Sequence, residues 1–274
     1  MPNAETMPLS IAHLSALDTP PLQYIELAAR AGFASIGLRT NPAAPGGIVY
    51  PLATAAEQAE LRRRIEATGV EVMYIELIGL SEATRAADYR PMLEVGAAIG
   101  ASRLGVGGDS ANFAVIAERM AEICDLAREY DIAVDLEFMP FRPVKTFADA
   151  VEVVRMADRP NAHIMVDALH VFRSNSSLDD IRRADPKFLG TFQICDAPCD
   201  PPPADQLVTE ARTRRLLPGH GDLPLWDLID AMPADIPVGV ELPIASQFPE
   251  LDPQARMQLM ARSTREFYAS RRKP

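Results

Sequence analysis

Eight short β-rich runs alternate with eight longer amphipathic runs along the 274-residue chain. The β-rich runs cover residues 9–17, 35–40, 71–78, 102–107, 133–138, 164–169, 190–195 and 237–242, and the runs with helical apolar spacing cover 21–31, 55–68, 91–100, 112–130, 147–157, 178–183, 225–232 and 252–270. Strands that alternate with helices form parallel sheets, and eight such units close into a barrel. The sequence therefore predicts an α/β fold with one domain over residues 1–274, a single (β/α)8 or TIM barrel.

Glycines support this division of the chain. Gly32, Gly69 and Gly100 each follow a helical run and precede a β-rich run, as expected where a helix ends. An open, doubly wound sheet would normally carry a Gly-rich phosphate-binding turn after its first strand, and the sequence has none there. The run Gly105-Val106-Gly107-Gly108 lacks that spacing, so we interpret it as a tight turn after the fourth strand.

Charge and composition limit the classes of function. A formal charge of −11 argues against nucleic-acid binding, which needs clustered Lys and Arg, and we interpret the basic run Arg271-Arg272-Lys273 as a helix end. Apolar runs are all shorter than the roughly 20 residues that cross a bilayer, and the N-terminal segment lacks the features of a secretory signal. We expect a cytoplasmic protein that binds neither membranes nor nucleic acid.

The cysteines offer only a weak alternative to this view. Cys124, Cys195 and Cys199 are an odd number without CxxC spacing, so we expect three reduced thiols. A thiolate metal pair formed by Cys195 and Cys199 is the alternative.

Polar side chains stand at or near the ends of the last four strands: Glu137, Asp167, Gln193 and Glu241. The C-terminal strand ends of a (β/α)8 barrel form its active-site mouth, and a charge within an apolar run is costly unless it is paired or coordinated. Three carboxylates and an amide oxygen suit Mg²⁺, Mn²⁺ or Co²⁺. We therefore predict a divalent-metal site, although each residue taken singly would equally suit a helix cap, an ion pair or a buried hydrogen bond.

Further residues are expected near the mouth. His170, three residues after Asp167, is a candidate for proton transfer, because imidazole titrates near neutral pH. His13 and Arg39 end the first two strands and are expected to face the substrate, with Arg39 suited to a carboxylate or enolate oxygen. Arg215 is a second candidate for that contact. The alternative for these residues is an ion pair at the rim, for which Glu76 is a possible partner.

Two long connections are predicted on the same side of the barrel. Residues 198–223 follow the seventh strand, and residues 41–53 follow the second and form a possible partner lid. Loops this long are usually functional or disordered. His220, in the turn Pro218-Gly219-His220-Gly221-Asp222, either reaches the pocket as a substrate-binding residue or belongs only to the turn.

These residues together resemble the xylose-isomerase-like barrel superfamily, which includes sugar-phosphate isomerases and epimerases. The resemblance covers nearly the whole chain and is strongest over residues 134–243. The family's metal set is a Glu on strand five, an Asp followed three residues later by a His, a His on strand seven and a Glu on strand eight. Glu137, Asp167 with His170, and Glu241 match it, and residues 218–222 resemble the family's PGxGD turn.

Gln193 is where this sequence departs from most epimerases of the superfamily, which carry a histidine there. A glutamine is similar to the lyase branches, 3-dehydroshikimate dehydratase and inosose dehydratase. The resemblance implies a divalent-metal-dependent lyase that acts on a cyclic polyhydroxy ketone or keto-acid through a metal-stabilised enolate. Glu137 and Glu241 would then serve as base and acid, with His170 beside them.

The resemblance leaves alternatives open. Return of the proton to carbon would make the protein a sugar (phosphate) isomerase or epimerase that uses the same site. A non-catalytic ligand-binding barrel or accessory subunit is a second alternative. Barrels of this type often assemble, and the partly apolar segment 248–268 could pack on a second copy in a homo-oligomer.

Overall fold

The computed structural model describes residues 7–43 and 46–271, and its eight parallel strands close into one barrel. The strands are β1 (Leu9–Ile11), β2 (Ser35–Arg39), β3 (Glu71–Leu80), β4 (Arg103–Gly108), β5 (Ala133–Glu137), β6 (Ala162–Asp167), β7 (Leu189–Ile194) and β8 (Val238–Val240). Each strand pairs with the next in the chain, and β8 closes the ring by pairing in parallel with β1. The predicted (β/α)8 fold is confirmed.

Helices connect the strands around the outside of the barrel. They are α1 (Pro21–Ala31), α2 (Ala55–Thr68), α3 (Arg90–Ala98), α4 (Phe113–Arg128), α5 (Phe147–Ala157), α6 (Ala168–Arg173), α7 (Leu178–Arg183), α8 (Leu207–Thr213), α9 (Leu225–Ile229) and α10 (Pro253–Ala269). Short 3-10 helices lie at His13–Ala16, Ala86–Tyr89, Pro186–Phe188 and Ala204–Gln206. The first five helices begin or end within two residues of their predicted bounds.

Local sequence explains where several helices begin and end. The side chains of Thr54 and Thr146 each accept a hydrogen bond from the backbone N–H three residues on. The acidic side chain of that residue accepts one from the threonine's backbone N–H, which completes a capping box. Gly32 and Gly69 end α1 and α2 with φ of 83° and 70°, a left-handed conformation that costs glycine little. The predicted helix ends at these two glycines are confirmed.

Two of the strands that end earlier than predicted help to form the site. β1 stops at Ile11, and the chain turns into a 3-10 helix at His13 instead of continuing to residue 17. β6 stops at Asp167, because the Asp167 carboxylate accepts a hydrogen bond of 3.1 Å from the His170 backbone N–H and begins α6. The end of β6 thus places Asp167 and His170 in the same helical turn.

The prediction of a tight turn at Gly105–Val106–Gly107–Gly108 is wrong, because these residues belong to β4 and pair with β3 and β5. Close packing explains why glycine is needed. A Cβ on Gly107 would lie 2.9 Å from Nη1 of Arg142, and one on Gly108 would lie 2.3 Å from Cγ2 of Val144. The connection after β5 therefore folds directly over the end of β4.

The connection over residues 198–223 is ordered rather than irregular, since it contains the 3-10 helix and α8. Asp196, at the end of β7, holds its final turn in place. The Asp196 carboxylate accepts hydrogen bonds from the backbone N–H groups of Gly219, Gly221 and Leu223 at 3.0, 3.0 and 3.1 Å. Asp196 and Leu216 also exchange two backbone hydrogen bonds of 2.8 Å. The carboxylate anchors the loop to the barrel.

The other long connection covers part of the barrel interior. Tyr50 lies on the ring of His13 with ring centroids 5.2 Å apart, and its hydroxyl donates to the Leu17 carbonyl at 3.1 Å. Residues 44–45 of this connection lie outside the described residues. Its role as a lid stays a prediction.

Several remaining expectations concern the surface and the thiols. Within residues 7–43 and 46–271, no helix is long and apolar enough to cross a bilayer. Cys124, Cys195 and Cys199 are free, and Cys195 is buried while Cys199 is exposed, which does not support a thiolate pair. Phe267 of the segment expected to face a partner stacks on Trp226 of the same chain at 4.6 Å. Residues 1–6 and the predicted basic end at Arg272 and Lys273 lie outside the described part.

Candidate active site

The barrel gathers the predicted polar residues at the C-terminal ends of its strands. Asp167 pairs with Gln193 across β6 and β7, and Gln193 pairs with Gly239, two residues before Glu241. One ligand atom each from Glu137, Asp167 and His170 lies within 4.8 Å of the other two, close enough to hold a metal ion together. Glu241 does not belong to this trio. We call Glu137, Asp167, His170 and Glu241 the acidic cluster.

Arg215 lies inside the acidic cluster. Its side chain is 1% exposed, with Nη1 2.5 Å from Oδ2 of Asp167 and Nη2 2.7 Å from Oε2 of Glu241. Its Nε donates to the carbonyl of Ala211 at 2.8 Å. All three guanidinium nitrogens thus have partners within the chain. The alternative of an ion pair is observed, although in the interior rather than at the rim, and the contact expected between Arg215 and substrate stays a prediction.

The carboxyl groups of the acidic cluster differ in their affinity for protons. Burial, together with the charges of Glu241 and Asp167, raises the pKa of Glu137 well above its usual value. Burial also raises the pKa of Glu241 to about 7, although Arg215 opposes the shift. Burial acts in the same direction on Asp167, but Arg215 and His170 outweigh it and lower the pKa of this carboxyl. The cluster therefore combines Asp167, whose carboxyl holds its charge, with Glu137 and Glu241, whose carboxyls bind a proton more readily than usual.

His170 completes the cluster from the first turn of α6. Its Nε2 lies 3.5 Å from Oε1 of Glu137, and the edge of its ring meets that of Phe141 with centroids 5.5 Å apart. Burial lowers the pKa of His170 to about 4, so the imidazole is neutral at neutral pH. Its Nδ1 has no hydrogen-bond partner in the described part of the chain.

Gln193 faces the cluster from β7. Its Nε2 lies 3.3 Å from the Tyr74 hydroxyl and 3.5 Å from Oε1 of Glu241, while its buried Oε1 has no partner among the described residues. A buried amide oxygen without a partner is costly, and coordination of a cation would satisfy it.

Charge also favours a cation at this position. Four carboxyl groups interact here with two guanidinium groups: Glu76, Glu137, Asp167 and Glu241 with Arg39 and Arg215. If all six are ionised, the site carries two excess negative charges in a buried environment. The unpartnered amide oxygen, the trio of ligand atoms and this excess charge all fit a divalent cation.

Arg39 and Glu76 form a second ion pair beside the cluster. The two residues are partners across β2 and β3, and Nη2 of Arg39 lies 3.4 Å from Oε1 of Glu76. The predicted partnership with Glu76 is therefore observed. Nε of Arg39 has no partner in the residues described, so the predicted contact with a substrate oxygen stays a prediction.

His13 lies inside the barrel rather than at its mouth. It is fully buried and stacks on Tyr24 with ring centroids 4.5 Å apart. Its Nδ1 accepts a hydrogen bond of 3.0 Å from the Arg39 backbone N–H, and its Nε2 lies 3.0 Å from the Thr19 carbonyl. Both nitrogens thus already have backbone hydrogen-bond partners, and the contact with substrate expected of His13 stays a prediction.

Folding stability should depend on the protonation of His13. Burial lowers its pKa from 6.5 to about 4, so the unfolded chain takes up a proton at a higher pH than the folded chain. As the pH falls from about 6.5 to about 4, we expect protonation of His13 to lower the free energy of unfolding by about 3 kcal/mol. His13→Phe should lose this part of the pH dependence of stability. The part due to His170, whose pKa is also lowered by burial, should remain. Denaturant unfolding at neutral and acidic pH measures both slopes, and equal slopes would contradict the assignment.

His220 does not join the acidic cluster. It is exposed on the turn at residues 218–222, where its backbone N–H donates to the Leu217 carbonyl at 2.9 Å. In the part of the chain that the structure describes, no contact links its side chain to the cluster. Of the two interpretations of His220, membership of the turn is the one supported.

Sequence reasoning missed three residues at the site. Tyr74 lies within β3, where a buried aromatic residue has no distinguishing signal, and Asp196 resembles any polar residue after a strand. Arg142 lies five residues after Glu137, and its Nη1 is 2.6 Å from Oδ1 of Asp109. Its guanidinium occupies the space above Gly107 and adds positive charge near His170. The glycines of β4 were the available signal for Arg142.

Fold and site together define a class: a (β/α)8 barrel with a buried acidic and histidine cluster at its C-terminal mouth. The xylose isomerase-like TIM barrel family model matches residues 25–265, and the chain belongs to this family. The predicted relationship is confirmed.

Individual relatives are more distant. The inosose isomerase of Bacillus licheniformis is 32% identical over 81 residues, which are 29% of this chain and 29% of that protein. The crystal structure of the IOLI protein with a binding zinc atom has a TM-score of 0.80 at 20% identity, over 98% of this chain and 100% of that one. The structure of the probable 3-DHS dehydratase AsbF from Bacillus anthracis, involved in petrobactin synthesis, has a TM-score of 0.74 at 15% identity. The match covers 97% of this chain and 100% of that one.

Proposed function

We propose that the protein is a divalent-metal-dependent lyase that dehydrates a cyclic polyhydroxy ketone or keto-acid, such as 3-dehydroshikimate or an inosose, through an enolate. The observation that carries the proposal is one buried cluster in which ligand atoms of Glu137, Asp167 and His170 lie within 4.8 Å of one another, near a Gln193 amide oxygen without a partner among the described residues. Glu137 and Glu241 have raised pKa values, while that of Asp167 is lowered. Pairs of groups with separated pKa values are typical of acid–base catalysis.

Glu137, Asp167, Gln193 and Glu241 are the residues that would hold the cation, with His170 in reach. When bound, a divalent cation supplies a Lewis acid that stabilises negative charge developing on a ketone oxygen. The oxygen-rich set suits Mg²⁺, Mn²⁺ or Co²⁺. The imidazole in the trio, and the zinc in the IOLI structure, add Zn²⁺ to these candidates.

Proton transfer falls to the residues with raised or neutral pKa values. Glu137 in its ionised form would take the proton next to the ketone, since a base with a raised pKa removes carbon-bound protons better than an ordinary carboxylate. Glu241, with a pKa of about 7, would carry the proton that the departing hydroxyl needs. Neutral His170, 3.5 Å from Glu137, orients that carboxyl. The expelled hydroxyl leaves as water, and the double bond remains in the ring.

Arg142 favours an anionic substrate. It lies over the end of β4, where Gly107 leaves room for it, and it lines a cleft of about 540 Å³ with Phe141 and Lys145. Phe141 contacts His170, so this cleft adjoins the acidic cluster. A guanidinium beside the reacting groups can hold a carboxylate through charge-assisted hydrogen bonds. This supports a keto-acid among the proposed substrates.

A second candidate is an isomerase that acts on the same kind of ring. The observation in its favour is the similarity to the inosose isomerase of Bacillus licheniformis. The first step is shared, because removal of a proton next to the ketone gives the same enolate. Return of the proton to a different carbon, rather than loss of hydroxyl, would give the isomer.

Turnover of defined substrates tests these proposals. We expect protein supplied with Mn²⁺ to convert 3-dehydroshikimate or scyllo-inosose, followed by product absorbance and by isomer ratios, and to lose activity on chelation. Arg142→Ala should raise KM for an acidic substrate by about 10-fold to 100-fold, the value of one or two charge-assisted hydrogen bonds. Lys145→Ala, in the same cleft but exposed, is the matched control and should change KM little.

The outcomes separate the candidates. Product with one water lost identifies the lyase, and a rearranged ketone of unchanged mass identifies the isomerase. Conversion of open-chain ketohexoses alone would rule out a cyclic substrate. Protein that binds no divalent ion would overturn the metal-dependent mechanism.

A further inference from the structure

We propose that Arg215 is a built-in counter-charge that competes electrostatically with the divalent cation for Asp167 and Glu241. This inference rests on the proposed metal site. At low metal concentration the guanidinium of Arg215 holds the acidic cluster together, and it lowers the affinity of the cluster for metal. The consequence is a protein that stays folded without metal and takes it up only weakly.

The contacts of Arg215 are those of an internal cation. Two of its nitrogens bind one oxygen each of Asp167 and Glu241, and its side chain is 1% exposed. Nη1 also lies 3.4 Å from Sγ of Cys195. Two buried carboxylates so close together need a positive charge between them, and the guanidinium supplies it from within the chain.

Arg215 cannot easily leave this position. Its Nε is bonded to Ala211, the last residue but two of α8, and its backbone carbonyl accepts a hydrogen bond of 2.8 Å from Nε2 of Gln247. The next residue, Leu216, is bridged to Asp196 at the end of β7. The backbone at Arg215 and Leu216 and the Nε end of the guanidinium are therefore held in place, and a cation that ligates the same carboxylates must share them with the guanidinium.

Sharing lowers metal affinity. Oxygens bonded to Arg215 are less available as ligands, and a second positive charge a few ångströms away repels the cation strongly in a buried site. Repulsion of this kind acts whether the guanidinium stays in place or shifts slightly. Removal of the charge should therefore strengthen metal binding even though it removes a stabilising contact.

The experiment measures Mn²⁺ binding by the electron paramagnetic resonance signal of free Mn²⁺, and melting temperatures with Mn²⁺ or EDTA. Arg215→Met keeps much of the side-chain volume and removes the charge. We expect it to bind Mn²⁺ at least about tenfold more tightly than the unchanged protein. We also expect a larger rise in melting temperature on metal addition, because metal then replaces the missing counter-charge.

Arg103→Met is the matched control. Arg103 lies at the start of β4, at the opposite end of the barrel from the acidic cluster. It forms an ion pair of 2.7 Å with the buried Asp135. Loss of this pair should lower stability while Mn²⁺ affinity and the metal-induced rise in melting temperature stay as in the unchanged protein.

Each result has one meaning. Unchanged or weaker Mn²⁺ binding by Arg215→Met, with normal binding by the unchanged protein, overturns the role of Arg215 alone. If neither protein binds Mn²⁺ at millimolar concentration, the proposed metal site falls as well. A variant that folds only with Mn²⁺ supports the inference, and one that stays unfolded even in saturating Mn²⁺ contradicts it.

Discussion

Replacement of Glu137 by glutamine is expected to lower turnover by about 10²-fold to 10⁴-fold, the contribution typical of a general acid or base. In EDTA the same substitution should raise the free energy of unfolding by about 1 kcal/mol or more. The pKa of Glu137 is raised by burial and by the charges of Glu241 and Asp167, so its ionised form is unfavourable in the folded protein at neutral pH. A neutral amide of the same shape removes that cost.

Asp167→Asn is the matched comparison, because its effect on stability has the opposite sign. Arg215 and His170 lower the pKa of Asp167 against the effect of burial, so its charge is favourable in the folded state. The asparagine variant should lose activity too, but it should unfold more readily. Activity assays with Mn²⁺ measure the loss of turnover. Denaturant unfolding at neutral pH in EDTA measures the change in the free energy of unfolding. Stability changes of the same sign in the two variants would contradict this account of the acidic cluster.

Asp196→Ala should cause the second large effect, a loss of about 4 kcal/mol or more in the free energy of unfolding. The carboxylate accepts hydrogen bonds from four backbone N–H groups, those of Ala197, Gly219, Gly221 and Leu223. Each bond to a charged group contributes about 1.5–3 kcal/mol, and the sum is reduced because water can reach part of the turn. The loop that carries Arg215 would lose its anchor.

Asp252→Ala is the control for this second prediction. Asp252 is exposed and caps α10 through one hydrogen bond of 2.8 Å to the Ala255 backbone N–H, so its loss should cost about 1 kcal/mol. Thermal and denaturant unfolding of both variants measure the difference. Comparable destabilisation by the two substitutions would show that Asp196 acts as an ordinary cap rather than as an anchor.

Periodicity was sufficient to predict the barrel and to place Glu137, Asp167 and Gln193 at or near the ends of their strands. The register of parallel strands places Asp167 beside Gln193 and Glu137 beside Met165, two residues before Asp167, whatever the loops do. Residues whose position depends only on their own strand can therefore be predicted from sequence.

Residues that reach the site through irregular segments could not be predicted in the same way. Arg215 follows α8 in a long connection, and tertiary hydrogen bonds, among them those of Asp196 and Gln247, fix where that connection runs. His13 was assigned to a strand that in fact stops at Ile11, and the 3-10 helix turns its ring inwards. Arg142 reaches the mouth because Gly107 lacks a side chain, and a glycine in a sequence does not indicate which side chain uses the space above it.

The origin of Arg215 in a loop has an evolutionary consequence. The carboxylates sit on strands, where any change in length disturbs the whole barrel, whereas the guanidinium arrives from the connection between β7 and α9. Insertions, deletions or substitutions in that connection can remove or reposition one positive charge without altering the carboxylates. Under the proposed role of Arg215, selection or protein engineering could therefore tune how strongly the cluster retains a divalent cation by changing this one connection while the barrel stays unchanged.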